Sequence, residues 1–398
     1  MSRIGGVAAV TETVVPSGPR SFLPLLAVSL LTGVGYALAG PFLSLFLIKE
    51  LGAGPFAVGA FLLAMPLAAV AVSTVLGRWS DGRAVRRDLI VSASLAGAAA
   101  FGLFAVLRNY WLLLVVALSL SAVASCLMPQ TFAYARQSLE RSGSGRGAFA
   151  ISAVRTMVSV SWVAGPPVAA LLIDASGFTG LFVVAAGVYL VAAVVTALTL
   201  PELGVGGAES TPAAGSGLRR EVVLSAVAFV LLQGATSVGV YALPLYLTDV
   251  LGGSTSDAGL VLGLCAALEI PFMLGFGALA MRVDYRRLVL AGGALALAYY
   301  GVMVVTTATW QVAAAQVLHA VVISAVMGVG ISYFQDLVPD RPGYATTMFT
   351  NTAKVSAMLA GPLLALSQVL GYRSAYAIGL GLSVVGLGLL LVARPRSG

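Results

Sequence analysis

Apolar stretches of about 20 residues recur along the whole chain, separated by short charged or turn-rich breaks, and each is long enough to cross a bilayer as a helix. Reading the runs between the breaks predicts twelve helices. The first six fall at 22–48, 55–77, 89–107, 111–135, 149–173 and 178–200. The second six fall at 221–248, 257–281, 288–307, 310–334, 344–369 and 374–393. Membrane β-strands would alternate apolar and polar residues. The run from Leu112 to Leu120 is apolar on every side, so helices are expected throughout.

Composition narrows the class further. Of 398 residues, 59% are hydrophobic and 9% charged, against roughly 25% charged in soluble domains. This excludes a water-soluble fold and a disordered chain, and two cysteines exclude a disulfide scaffold. A net charge of +7 is compatible with nucleic-acid binding, but the placement of the basic residues points to a bilayer instead. With the N-terminus inside, the cytoplasmic segments collect the arginines of 78–87, 136–146, 219–220 and 282–287, with Arg341 and the arginines of both tails. Only Lys49, Arg108 and Arg373 fall outside, a strong positive-inside bias. The expected organisation is a cytoplasmic tail (1–21), a six-helix bundle (22–200), a cytoplasmic linker rich in Gly, Ser, Ala and Pro (201–220), a second bundle (221–393) and a short tail (394–398). The first apolar run is too long for a signal-peptide core, so it is expected to remain as a helix.

The halves echo each other at an offset near 200. Leu51-Gly52 with Gly59 recurs as Leu251-Gly252 with Gly259, and Gly77 ahead of Arg86-Arg87 recurs as Gly277 ahead of Arg286-Arg287. Trp111 matches Trp310, Tyr134 matches Tyr333, and Gly165-Pro166 returns as Gly361-Pro362. Two parallel six-helix repeats, with a substrate site between them near mid-membrane, describe an all-α membrane protein of the major facilitator fold.

Few polar groups lie inside the spans, and each has a bland and a functional reading. Arg155, with Ser152, Ser159 and Trp162, marks one face of helix 5. A guanidinium keeps its proton, so Arg155 either meets an anion, a wet cavity or a polar substrate, or snorkels to the interface. Glu269, next to Pro271, is the acid deepest in a span, and is either a proton carrier or a static, paired or protonated packing group. In helix 11, Thr347, Asn351, Lys354 and Met358 form one stripe, in which Lys354 is able to partner Glu269 or contact ligand oxygens. Helix 7 offers Gln233, Ser237 and Tyr241, and helix 10 offers Gln316 and His319, a relay candidate or a packing residue. Cys126 and Cys265 read as small apolar residues, and neither a metal nor a cofactor is expected.

Several stretches resemble the bacterial sugar efflux transporters of the major facilitator superfamily. They are PFLSLFL (41–47), the helix 2–3 loop ending SDGRAVRRDLI (80–90), LMPQTFAYAR (127–136), RTMVSVSWVAGPP (155–167) and LEIP (268–271). The loop carries Gly77, Asp81, Arg83, Arg86 and Arg87, similar to the family's cytoplasmic signature. There Gly77 would permit close helix approach and Asp81 would latch one conformation, unless the loop is merely a positive-inside loop containing one Asp. The second-half equivalent of Asp81 is Met281, so such a latch is one-sided. Gly165-Pro166-Pro167 resembles the helix-5 signature of facilitator antiporters, or is a purely structural kink.

The resemblance implies export of sugars or glycosides across the inner (cytoplasmic) membrane by proton exchange. The residues agree: hydroxyl-rich ligands call for amides and charged forks (Gln130, Gln233, Asn351, Arg155, Glu269, Lys354) and an aromatic plate (Tyr36, Trp162, Tyr241). Glu269, Arg155 and Lys354 are the expected coupling residues. The expected partners are the small-molecule substrate, protons and the lipid bilayer, without nucleic acid, for a monomer that is not an enzyme. Proton-coupled multidrug or antibiotic efflux is the alternative, and uptake remains open because alternating access is reversible.

Overall fold

A computed structural model describes residues 23–81, 83–142, 147–203 and 220–393. Both predicted tails and most of the predicted linker lie outside these residues. Eleven helical stretches are long and apolar enough to span a membrane. The longest, Gly147–Thr199, leaves helical geometry at Gly177 (φ 67°, ψ −173°), where it divides into two helices. The spans are α1 (Leu23–Lys49), α2 (Pro55–Ser80), α3 (Arg86–Val106), α4 (Tyr110–Ser138), α5 (147–176) and α6 (178–199) in the first half. In the second half they are α7 (Arg220–Val250), α8 (Thr255–Leu279), α9 (Tyr285–Val305), α10 (Thr309–Leu337), α11 (Gly343–Leu370) and α12 (Ser374–Val392).

Lipid supplies no hydrogen bonds, so every spanning segment satisfies its own backbone as a helix, and the ends fall where polar groups take over. The Asn109 side chain accepts from Trp111 and Leu112 N–H at the start of α4, and Ser254 with Asp257 forms a capping box at α8. The repeated Leu-Gly pair has a conformational cause. Gly52 (φ 60°) and Gly252 (φ 69°) end α1 and α7 in the left-handed region. There Ala53 N–H donates to Leu47 O and Gly253 N–H to Leu247 O, both at 2.9 Å, the same C-cap in both halves.

α5 stays helical through Gly165-Pro166-Pro167, where the prolines were expected to bend or interrupt it, and the departure from helical φ/ψ falls at Gly177. Pro167 leaves the Val163 carbonyl without its helical donor. That carbonyl faces Gly263 of α8, whose missing side chain lets the two backbones approach, as Gly259 does against Pro166 O.

The two halves touch through α5 with α8, α2 with α11, and the ends of α1 and α7. The atoms that define these contacts lie in the halves of the helices away from the arginine-rich loops. Gly59 meets Gly361 and Ala365, and Ser44 Oγ donates to Tyr241 O at 2.6 Å. Lys49 Nζ pairs with Asp249 Oδ2 at 2.8 Å, Ser256 Oγ donates to Asp174 Oδ2, and Gln368 Nε2 donates to Ala53 O. The bundle is therefore closed at its arginine-poor end.

Candidate functional site

Between the halves lies a cavity of about 410 Å³, within the size range of small-molecule sites. The first half contributes Tyr36, Gly40 and Pro41 from α1 and Val158, Ser159 and Trp162 from α5. Tyr36 and Trp162 meet edge to face with centroids 5.9 Å apart. Tyr36 is 53% exposed, and that exposure faces the cavity it lines, beside Tyr241 of α7. The second half answers with Thr236, Ser237 and Tyr241, then Cys265 and Glu269 of α8, Tyr299 of α9, and Gln316 and His319 of α10. One wall is thus an aromatic plate and the other a cluster of polar groups.

The polar wall is ordered by short-range contacts. Cys265 and Glu269 are one turn apart, with Cys265 Sγ 3.7 Å from Glu269 Oε1 and 3.6 Å from His319 Nδ1. His319 stacks flat on Tyr299, with centroids 4.3 Å apart and planes 2° from parallel. Ser324 Oγ donates to the Glu269 carbonyl at 3.4 Å, tying α10 to α8 beside Pro271.

Of the expected binding and coupling residues, Tyr36, Trp162, Tyr241 and Glu269 line this cavity, and the others lie elsewhere. Gln130 is buried and donates to Ser80 Oγ at 3.3 Å, joining α4 to α2. Gln233 donates to Thr352 Oγ1 at 3.1 Å, joining α7 to α11. Both amides serve helix contacts within one half, because each faces a hydroxyl of its own half and not the interface. Arg155 lies one turn from Ser159, a wall residue of α5 toward the arginine-rich end, and does not itself line the cavity. Lys354 stands three residues below Ala357 of the α11 wall, with Asn351 a further turn out. The ion pairs recorded among the described residues are Lys49–Asp249, Arg87–Asp88, Arg108–Glu50 and Arg287–Asp284, so neither Arg155 nor Lys354 pairs with Glu269 in this conformation.

The arginines of the loop expected to latch one conformation make their described contacts within the first half. Arg83 Nη1 donates to Trp79 O at 2.7 Å and its guanidinium covers the Trp79 ring. Arg87 Nη2 donates to Ala197 O at the end of α6, and Arg87 N–H donates to Glu202 Oε2 at 3.2 Å. In the second half Arg286 Nη2 donates to Leu390 O near the end of α12 at 3.0 Å, so both arginines meet the negative pole of their bundle's last helix. A Cβ at Gly77 would meet nothing within 4 Å. Gly77 therefore mediates no close helix approach in this conformation. The side chain of Asp81 lies outside the described residues, and Arg86 keeps a partner of its own.

Sequence reasoning missed the closed end. Lys49 and Asp249 are separated by the repeat offset and occupy equivalent ends of α1 and α7. That spacing was the available signal. It also missed Tyr299, which has no motif, and Glu202, whose carboxylate lies against the N-terminal N–H groups of α3. Burial pushes the Glu202 carboxyl above the usual range, Asp88 adds to this, and the backbone donors of Arg86, Arg87 and Asp88 oppose it.

Twin six-helix bundles closed over a central cavity at one end define a multi-pass membrane protein built as a facilitator. The family model described as Major Facilitator Superfamily matches residues 25–362 and 225–398. Sugar efflux transporter A of Dickeya chrysanthemi is 36% identical over 358 residues, covering 89% of this chain and 91% of that relative. Sugar efflux transporter B of Salmonella typhimurium is 35% identical, covering 90% and 93%. Among solved structures, the nucleoside transporter NupG superposes with a TM-score of 0.71 at 15% identity, covering 94% of this chain and 98% of that one. This chain belongs to the Major Facilitator Superfamily and, within it, to the sugar efflux transporter family of these relatives.

Proposed function

We propose that this protein exports sugars or glycosides across the cytoplasmic membrane by proton antiport, as a monomer whose two halves rock around the central cavity. The observation that carries the proposal is the cavity itself: an aromatic plate from the first half opposite Glu269 and its polar neighbours from the second. Aromatic faces suit the apolar face of a sugar ring, and a carboxylate with hydroxyls and an amide suits its hydroxyls. The names of the relatives support the substrate class. The arginine-rich end is assigned to the cytoplasm, with both termini inside, so this conformation takes substrate from the cytoplasm. Glu269 loses its proton to the cytoplasm and the carboxylate accepts sugar hydroxyls. After the halves rock, a proton from outside competes for the carboxylate and releases the sugar.

One observation favours the rival reading of multidrug efflux. Arg155 and Lys354 do not line the cavity, so among the described residues of its wall Glu269 has no opposing Lys or Arg, as a lipophilic cation would require. Purified protein in vesicles with a trapped pH dye separates the two, using a panel of labelled sugars and lipophilic dyes. Sugar efflux accompanied by proton entry is expected, with Glu269→Gln losing gradient-driven efflux while keeping sugar counterflow. Movement of the dyes alone, or full gradient-driven efflux by the variant, overturns the proposal.

A further inference from the structure

His319 is buried at 5% exposure on the wall of the cavity, and its protonation pattern follows from its neighbours. Gln316 Nε2 donates to the Val312 carbonyl at 3.1 Å. Turning that amide over would set two carbonyl oxygens against each other, so Gln316 Oε1 is the atom that faces His319 Nδ1 at 3.2 Å. An acceptor at that position requires the ring hydrogen on Nδ1. The neutral imidazole then keeps its lone pair on Nε2, and Nε2 is buried without a partner. With less than 1 Å² of exposed surface, that nitrogen has no room for a sugar hydroxyl, and its lone pair is taken by no protein donor.

The same tautomer orients the thiol. Cys265 Sγ, 3.6 Å from Nδ1, accepts a share of the Nδ1 hydrogen, which frees its own S–H to donate to Glu269 Oε1 at 3.7 Å. Hydrogen-bond polarity therefore runs from imidazole through sulfur to carboxylate, across residues of α10 and α8. The ionisable groups around His319 are Cys265 and Glu269 from α8 and Tyr299 from α9, with Tyr241 of α7 and Tyr36 of α1 also on the cavity wall. Among the described residues, no Lys, Arg or Asp lines the cavity to compensate a charge on either member.

We propose that His319 is a second proton-carrying residue of this site and that the Cys265 thiol joins it to Glu269 as one unit. This rests on the proton-coupled reading above. A proton arriving at Nε2 makes the ring cationic, which strengthens Nδ1–H donation to sulfur and S–H donation to the ionised carboxylate. A proton on Glu269 instead removes the anion that the thiol serves. The two sites compete for a proton, and the thiol reports which one holds it.

Infrared spectroscopy on the full chain in lipid, in a Cys126→Ala background that leaves Cys265 as the single thiol, tests this directly. Glu269→Gln assigns the protonated-carboxyl band by its loss. The S–H band of Cys265 is expected to shift over the same pH interval in which that carboxyl band appears. The midpoint of the carboxyl band is expected to move by about one pH unit in both His319→Gln and Cys265→Ala, the scale of one charge-assisted hydrogen bond. An S–H band that ignores pH, or a carboxyl midpoint unchanged in Cys265→Ala, overturns the proposal, even if His319→Gln fails to fold. Failure of the transport reading looks different: the bands titrate together, yet no sugar in the panel moves protons into vesicles.

Discussion

Replacing Gly361 with valine should push the two halves apart at the arginine-poor end. A Cβ at this position would lie 2.6 Å from Gly59 O, 2.7 Å from Leu63 N and 3.0 Å from the Leu62 carbonyl carbon. All three are backbone atoms of α2, so no side-chain rotation relieves the overlap. Overpacking of this kind costs about 1–3 kcal/mol. The cost exists only while α2 and α11 touch, and an arrangement with this end open escapes it. The closed-to-open ratio should therefore fall by about 5–150-fold, since 1.4 kcal/mol is a factor of ten. Spin labels at Phe56→Cys in the first half and Leu370→Cys in the second, both exposed, read the distance across that end in lipid. The native Cys126 and Cys265 are buried, and labelling of the parent without the two introduced cysteines gives the background. The Gly361→Val distribution should gain a long-distance population, with Gly361→Ala in between. An unchanged distribution in a folded, monodisperse Gly361→Val protein would refute the reasoning.

The Lys49–Asp249 pair is partly exposed, with side chains 47% and 27% accessible, so Lys49→Ala should loosen the closed end by about fivefold or less, the yield of roughly 0.2–1 kcal/mol. The charge-swapped pair Lys49→Asp with Asp249→Lys should restore the parental distances, and a swap no better than the single change would discard the latch. Glu202 tests the docking of the first linker residues onto α3. Its carboxyl is raised in the folded chain, so the folded state binds more protons than the unfolded one. Its contribution is complete below the ordinary carboxylate range and declines as pH rises through the raised value. Thermal melts of Glu202→Gln should therefore gain on the parent as pH climbs through that interval, and a gap constant with pH would contradict the assignment.

Much of the architecture was legible in the sequence. Lipid removes the alternative partners of the backbone, so each apolar run had to be a helix, and charges and caps marked its ends to within a few residues. The Leu51-Gly52 and Leu251-Gly252 repeat named two positions that the chain does turn left-handed. Tyr36, Trp162, Tyr241 and Glu269 were expected in one site, and the cavity does gather them. What the tertiary structure decided was the rotation of each helix about its own axis. Rotation turned Gln130 and Gln233 into braces inside their own halves and left Arg155 and Lys354 off the cavity wall. It also set Cys265 against His319, 54 positions away. A soluble helix announces its inward face by a polar opposite face. These helices are apolar all round, so that signal is absent, and the facing of each is settled only where small residues such as Gly263 and Gly361 let a neighbouring backbone come close.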